Sequence, residues 1–293
     1  MNGFICVNKP SGPSSFTIAR AAGRALKTTK TGHAGTLDPM ASGLMVIALG
    51  KCTRLLEYLS LEPKIYEFSV IFGQSTDTLD AEGAVIAESG VLPSENQLKN
   101  ILKNFTGEQQ QIPPKYSAIK ISGTPAYKLA RKGEEVEMKP RAVNIFSIDL
   151  RGYNGDNKQA DFIVSCSSGT YVRSLARDIA KTAGAEGFVN RIHRTKTGRF
   201  DLSAAIDYQS LNNPDTSLHD LTKHIVGAID AFDITEKTIV TDDHQKHIKN
   251  GKKIILDKTV LNSTLIAFDE SGQLSAVLKK ADGDWYHPQK VFY

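Results

Sequence analysis

The sequence predicts an α/β (α+β) fold built on a mixed, largely antiparallel sheet flanked by helices, followed by a small β-rich unit. Three observations carry that expectation. Strand-like and helix-like segments are interspersed without the strict alternation that builds a parallel sheet. Tyr66, Phe68, Val70 and Phe72 alternate with Glu67, Ser69 and Ile71, the period-2 pattern of a strand with one buried face. Near Ala231 the character changes to short strand-like runs around turns at Gly251, Gly272 and Gly283. Hydrophobic residues make up 40% of the 293, so a sizeable core is within reach and disorder is not expected.

The elements follow in order. Phe4 to Val7 reads as a short strand, ended by the turn Lys9-Pro10-Ser11-Gly12-Pro13. Ser14 or Ser15 can cap a helix running to about Lys27, because a serine hydroxyl accepts from the first free N–H groups. A glycine-rich loop comes next, then the apolar run Leu44 to Leu49 between Gly43 and Gly50, a buried strand. Ser94-Glu95-Asn96-Gln97 is a capping-box start for a helix to about Asn104. Pro113-Pro114 breaks the chain before a strand at Tyr116 to Ile121, and Pro125 opens a short helix that Gly133 closes. Val143 to Arg151 and Ala160 to Cys166 pair as a hairpin through Asn154-Gly155-Asp156. Thr170 caps a helix with Val172, Leu175 and Ile179 on its apolar side and Arg173 and Arg177 one turn apart. From Ala231 a small all-β domain is expected, with strands near Thr238 to Thr241, Leu265 to Phe268 and Leu274 to Leu278 and a hairpin across Ser271-Gly272. The domains expected are 1–230 and 231–293.

The net charge of +4 does not by itself indicate nucleic acid, but its distribution does. Tyr171 to Arg199 carries Arg173, Arg177, Lys181, Arg191, Arg194, Lys196 and Arg199 against Asp178 and Glu186, whereas from Ala231 on basic and acidic residues are equal in number. Cys6, Cys52 and Cys166 are odd in number and far apart, which argues against disulfides and structural zinc and fits a reducing, cytoplasmic compartment. Lys9-Pro10 interrupts the apolar start, so no signal peptide is expected, and Leu44 to Leu49 is too short to span a bilayer. His244-x-x-His247 reads as solvated rather than metal-bound.

Asp38 is the first acidic residue of the chain, after Lys9, Arg20, Arg24, Lys27 and Lys30. It lies in Gly32-His33-Ala34-Gly35-Thr36-Leu37-Asp38-Pro39. An aspartate in such a loop is most often a turn residue. Three features favour chemistry instead. Pro39 biases Asp38 away from the helical region, the glycines admit a close backbone, and the surrounding positive charge keeps the carboxylate ionised. The loop is not a phosphate cradle, since Gly43 and Gly50-Lys51 are six residues apart where a Walker A needs four.

That run, with Ala41, Gly43 and Leu44, resembles the central motif of the TruB family of tRNA pseudouridine synthases. Five further blocks resemble the family in order: Lys9-Pro10-x-Gly12-x-Ser14-Ser15; Lys64-x-Tyr66 with Gly73-x-x-Thr76-Asp77-Thr78-x-Asp80-x-x-Gly83; Gln111-x-Pro113-Pro114-x-Tyr116-Ser117-Ala118-x-Lys120; Cys166-x-x-Gly169-Thr170-Tyr171-Val172-Arg173-Ser174-Leu175; and Arg194-Thr195-x-x-Gly198-x-Phe200. Together they cover most of residues 1 to 200. The resemblance implies the pseudouridine synthase fold and an isomerase that converts a uridine in the T-arm loop of tRNA, at the position conventionally numbered 55, to pseudouridine. It implies no metal or organic cofactor, a monomer, and no obligatory protein partner or membrane.

Roles follow from the same resemblance. Asp38 would be the nucleophile, attacking C6 of the base or C1′ of the ribose or assisting elimination of the base. Arg173 would pair with it, its planar fork suiting a carboxylate. Tyr66 would stack on the flipped uracil and help remove the C5 proton. His33 would stand near the displaced nucleotides, and Tyr171 and Ile192 would wall the pocket; the family commonly has Leu where Ile192 stands. Lys9, Lys64, Lys120, Arg191 and Arg194 would touch phosphates or the loop. The C-terminal part resembles a PUA-like RNA-binding domain more weakly, through Gly272-x-Leu274-x-Ala276 and Pro288-x-Lys290-Val291-Phe292. Three other readings stand beside this one: a guide-RNA-dependent relative, which extra partner-binding extensions would favour; a non-catalytic RNA binder, in which Asp38 would weaken binding; and a glycosidase. The last needs a second carboxylate about 5 to 10 Å from the first, with Asp77 and Asp80 nearest by sequence.

Overall fold

The computed structural model describes residues 1–256 and 262–292. Its main sheet contains strands β1 (Gly3–Lys9), β2 (Thr31–Ala34), β3 (Ser42–Leu49), β4 (Lys64–Phe72), β5 (Gly107–Gln111), β6 (Arg141–Asn154), β7 (Gln159–Cys166) and β8 (Gly187–Thr197). They lie in the order β1-β3-β8-β4-β7-β6-β5, with β2 on β3. All of these neighbours are antiparallel except β3 and β8, which run parallel through Ser42–His193 and Gly43–Arg194. The sheet is mixed and largely antiparallel, as expected.

The period of two divides each central strand between two cores. Ile5 and Val7 of β1 and Met45, Ile47 and Leu49 of β3 face one core with helices α1 (Ser15–Ala25), α2 (Glu95–Leu102) and α4 (Val172–Thr182); α3 (Ala126–Arg131) is the short helix between α2 and α4. Phe4, Cys6, Leu44 and Val46 face the other, where Leu55 and the C-terminal Phe232, Ile266, Phe268 and Phe292 pack. A strand buried on both faces reads as a continuous apolar run, which is why Leu44 to Leu49 shows no alternation. Gly43 sits where β3 meets β8, at φ +100°, and a Cβ there would lie 2.3 Å from the Arg194 carbonyl oxygen.

The C-terminal sheet comprises β9 (Lys237–Ile239), β10 (Ile254–Ile255), β11 (Thr264–Phe268), β12 (Leu274–Lys280) and β13 (Trp285–Val291), in the order β9-β11-β12-β13-β10. The β11–β12 hairpin crosses Ser271-Gly272 as expected. The unit is not all-β: α5 (Asp242–Lys249), capped by Thr241 accepting from His244 N–H, packs against β13.

Several local expectations are corrected. Thr31 to Ala34, read as loop, pairs with β3. Of Tyr116 to Ile121 only Lys120–Ile121 is a strand. Ser94 caps α2, but Gln97 does not close the capping box; its amide donates to the Ala183 carbonyl at 3.0 Å. Thr170 does not cap α4. The N-cap position is Tyr171, without a side-chain cap; Gln111 of β5 holds its backbone, accepting from Tyr171 N–H at 2.8 Å and donating to the Tyr171 carbonyl at 3.1 Å. Among the described residues no helix is long and apolar enough to cross a membrane.

Candidate active site

The segment between β2 and β3 carries Asp38 and is tied down from β1 and α1. Ser15 Oγ donates to the Leu37 carbonyl and accepts from Leu37 N–H, both at 2.9 Å. Gly12 N–H donates to the Pro39 carbonyl at 2.8 Å. The Lys9 ammonium, fully buried, donates to the carbonyls of Pro39 (2.9 Å), Pro10 (3.0 Å) and Ala41. The block Lys9 to Ser15 is therefore the scaffold of the Asp38 loop, and Lys9 has no free valence for a phosphate. Burial lowers its pKa to about 8, outweighing the nearby Asp38 carboxylate.

Helix α4 brings Arg173 to that loop. Its Nε stands 2.8 Å from Asp38 Oδ2, its Nη1 donates to the Thr78 carbonyl (2.9 Å) and stands 3.4 Å from Asp80 Oδ2, and its Nη2 donates to the Tyr116 carbonyl (2.9 Å). Arg173 is 4% exposed whereas the Asp38 side chain is 35% exposed, so the pair has one fixed and one accessible member. Nothing in the local sequence marks Asp80 as an arginine partner. It is buried, accepts from Thr78 Oγ1 at 2.6 Å and from Glu82 N–H at 3.1 Å, and does not line the cavity beside Asp38. Asp77 accepts from Tyr116 and Ala84. Neither therefore stands as the second carboxylate that a glycosidase would need.

That cavity, about 290 Å³, is walled by Asp38, Arg173, Tyr66, Tyr171, Ile192 and Lys64. Tyr66 is nearly buried on β4, in register with Arg194 of β8. Burial pushes its phenol pKa up and Arg194 opposes that shift. Burial also raises Tyr171, and burial followed by Arg194 lowers Lys64. His33 lies in β2 opposite Ile47 and does not line the cavity; its Nδ1 is buried without a partner among the described residues. Arg194, expected at phosphates or the loop, is fully buried, its Nε donating to the Leu44 carbonyl at 2.9 Å. Lys120 and Arg191 are exposed and do not line the cavity. Among the described residues no group of three or more His, Cys, Asp or Glu could hold a metal ion, and His247 packs back on its own helix through the Asp243 carbonyl.

The description "TruB family pseudouridylate synthase (N terminal domain)" matches residues 23–172. The chain is 38% identical over 256 residues to a tRNA pseudouridine synthase B of Caulobacter sp., covering 87% of this chain and 82% of the relative. It is 37% identical over 265 residues to that of Clostridium kluyveri (90% and 89% covered) and 32% identical over 298 residues to that of Ehrlichia chaffeensis (100% and 99%). Among solved structures, a chain of a Cbf5-Nop10-Gar1 complex superposes with a TM-score of 0.74, covering 99% of this chain and 85% of that one; at 22% identity the likeness concerns the fold.

Proposed function

Since this chain belongs to the TruB family of pseudouridylate synthases and is a tRNA-modifying isomerase, we propose that it converts a uridine of the T-arm loop to pseudouridine, alone and without a cofactor. The observation that carries this reading is the accessible Asp38 carboxylate held at 2.8 Å by a buried arginine at the edge of a cavity sized for a flat ring. In that role Asp38 opens the reaction, and Arg173 holds it aimed. Tyr66 stacks on the extruded uracil and takes part in removing the C5 proton, while Ile192 and Tyr171 hold the ring in place as it turns. Lys64 contacts the substrate from the cavity wall, and His33 stands on the approach. Lys9 acts by holding the loop.

Residues 1–230 form the catalytic unit of this reading and 231–293 a PUA-like RNA-binding unit, in a monomeric cytoplasmic enzyme. The test is to incubate the purified chain with an unmodified tRNA transcript, adding no cofactor, guide RNA or second protein, and to map pseudouridine. Wild type forms it at the T-arm uridine; Asp38→Asn binds the transcript and forms none. Full activity in Asp38→Asn would sink the mechanism, and a product that appears only with added guide RNA would sink the stand-alone reading.

A further inference from the structure

Lys64, on the cavity wall, and Arg194, buried just outside the lining, set two cations side by side at one corner of the cavity with no carboxylate within ion-pair distance among the described residues; Glu62 acts on Lys64 only from farther off. Lys64 is 8% exposed and Arg194 fully buried. Among the described residues neither makes an ion pair; Lys64 Nζ has no acceptor, and Arg194 Nη1 is buried without one. The guanidinium cannot swing away, because its Nε is held by the Leu44 carbonyl at 2.9 Å and its Nη2 by the Gly35 carbonyl at 3.3 Å. Both free nitrogens lie 3.4 Å from where a Cβ on Gly35 would sit. Gly35, Lys64 and Tyr66 all line the cavity, so a ligand atom entering over the bare Gly35 meets both cations. Two like charges with little access to water repel each other and each loses hydration. Such a pair is compensated when an anion arrives.

The reaction supplies one, whichever atom Asp38 engages; this step rests on the reading of Asp38 given above. If the carboxylate adds to C6, the C5–C6 π pair moves onto the ring and its O4. If it displaces uracil from C1′, the C1′–N1 pair leaves with the base and spreads over N1, O2 and O4. If it takes the C2′ proton, the C2′–H pair forms the sugar double bond and the same C1′–N1 pair leaves. In every case a negative charge that begins on Asp38 ends on the uracil. We propose that Lys64 Nζ and Arg194 Nη1 form an oxyanion subsite that receives a uracil carbonyl oxygen as that charge develops. Fixed donors aimed at developing charge in a site with little water are effective because they need no reorganisation during the step. A backbone phosphate offers the same anionic oxygen. The base is favoured because the corner adjoins Tyr66 and admits almost no solvent, whereas a diester stays hydrated at the surface.

The experiment compares Lys64→Met and Lys64→Arg with wild type on an unmodified tRNA transcript, measuring single-turnover rate at saturating enzyme, tRNA Kd and the salt dependence of Kd. The subsite predicts a rate lowered about 10²-fold in Lys64→Met, from removal of one oxyanion donor. Kd and its salt slope stay unchanged, and Lys64→Arg recovers most of the rate. A weakened Kd with the slope reduced by about one and an unchanged saturating rate would mean a phosphate contact and overturn the proposal. So would an unchanged rate and Kd, or loss of rate that arginine does not rescue. If Lys64→Met lacks the native circular dichroism signal, Lys64→Gln, which is one atom shorter and keeps polarity without the charge, is read in its place by the same criteria. An inactive wild type, or a fully active Asp38→Asn, would instead sink the underlying reading of Asp38.

Discussion

Replacing Arg173 by lysine keeps the positive charge and removes the fork. The arginine serves four acceptors from three nitrogens: Asp38 at 2.8 Å, Asp80 at 3.4 Å, and the carbonyls of Thr78 and Tyr116, each at 2.9 Å. A single ammonium can replace at most part of that set. Losing two charge-assisted bonds removes about 3–6 kcal/mol of gross interaction at about 1.5–3 kcal/mol each. Where the loss appears depends on which carboxylate the lysine follows. If it follows Asp80, Asp38 is no longer aimed, and a misplacement of about 1 Å lowers the rate about 10²-fold. If it follows Asp38, buried Asp80 keeps its bonds from Thr78 and Glu82 but loses its counter-charge, and folding stability falls by about 3–5 kcal/mol. Single-turnover pseudouridine formation and urea unfolding, measured on one preparation of Arg173→Lys, separate the outcomes. A variant with wild-type rate and an unchanged urea midpoint would refute the clamp.

Lys9 makes a pH-dependent prediction. Its pKa is lowered from 10.5 to about 8 in the folded chain, so the unfolded chain holds more protons between those values. The contribution of this group to stability therefore rises with pH across that window. Over the same window three charged donors become two neutral ones and the grip on the Pro39 and Ala41 carbonyls weakens, so the rate falls above about pH 8 with no matching fall in the urea midpoint from this group. Lys9→Met starts from a lower rate and lacks that alkaline limb; an identical limb in the variant would count against the scaffold role. Truncation to residues 1–230 removes Phe232, Ile266, Phe268, Val277 and Phe292 from the core they share with Phe4, Leu44 and Val46. At about 1.5–3 kcal/mol per large side chain the loss is on the order of the stability of a whole domain. The truncated chain is expected to aggregate in size-exclusion chromatography; a soluble, cooperatively unfolding 1–230 would show that the C-terminal unit is separable.

What the sequence made legible was what alternates cleanly. β1, β3, β4 and the hairpin of β6 and β7 announced themselves by apolar runs or a period of two, and the loop bearing Asp38 by its glycines and proline. β8, at the centre of the sheet, does not read as a strand in the sequence. Four of its positions are Arg191, His193, Arg194 and Lys196, and register shifts at Val189/Arg191 and Arg194/Lys196 break the alternation. Asp80 was hidden for a different reason. Its role depends on Arg173, ninety-three positions later in the chain, and no local pattern links them.

Charge was the most misleading signal, and the correction was available in parity. Lys9, Lys64 and Arg194 each read from the sequence as an exposed cation for phosphate or the RNA loop, and each is buried. Each shares strand parity with buried apolar neighbours: Lys9 with Ile5 and Val7, Lys64 with Tyr66 and Phe68, Arg194 with Ile192. Successive side chains of a strand point to opposite faces, so a cation in step with the apolar set is carried inward whatever its sign. Arg20, Arg24, Lys27 and Lys30 lie on α1 or after it and are exposed, which leaves them, not Lys9, as the basic surface before Asp38. The acid-free stretch ahead of Asp38 thus divides in two. Its helical and loop cations face outward where an anionic polymer can meet them, and its one strand cation fixes the backbone that aims the carboxylate.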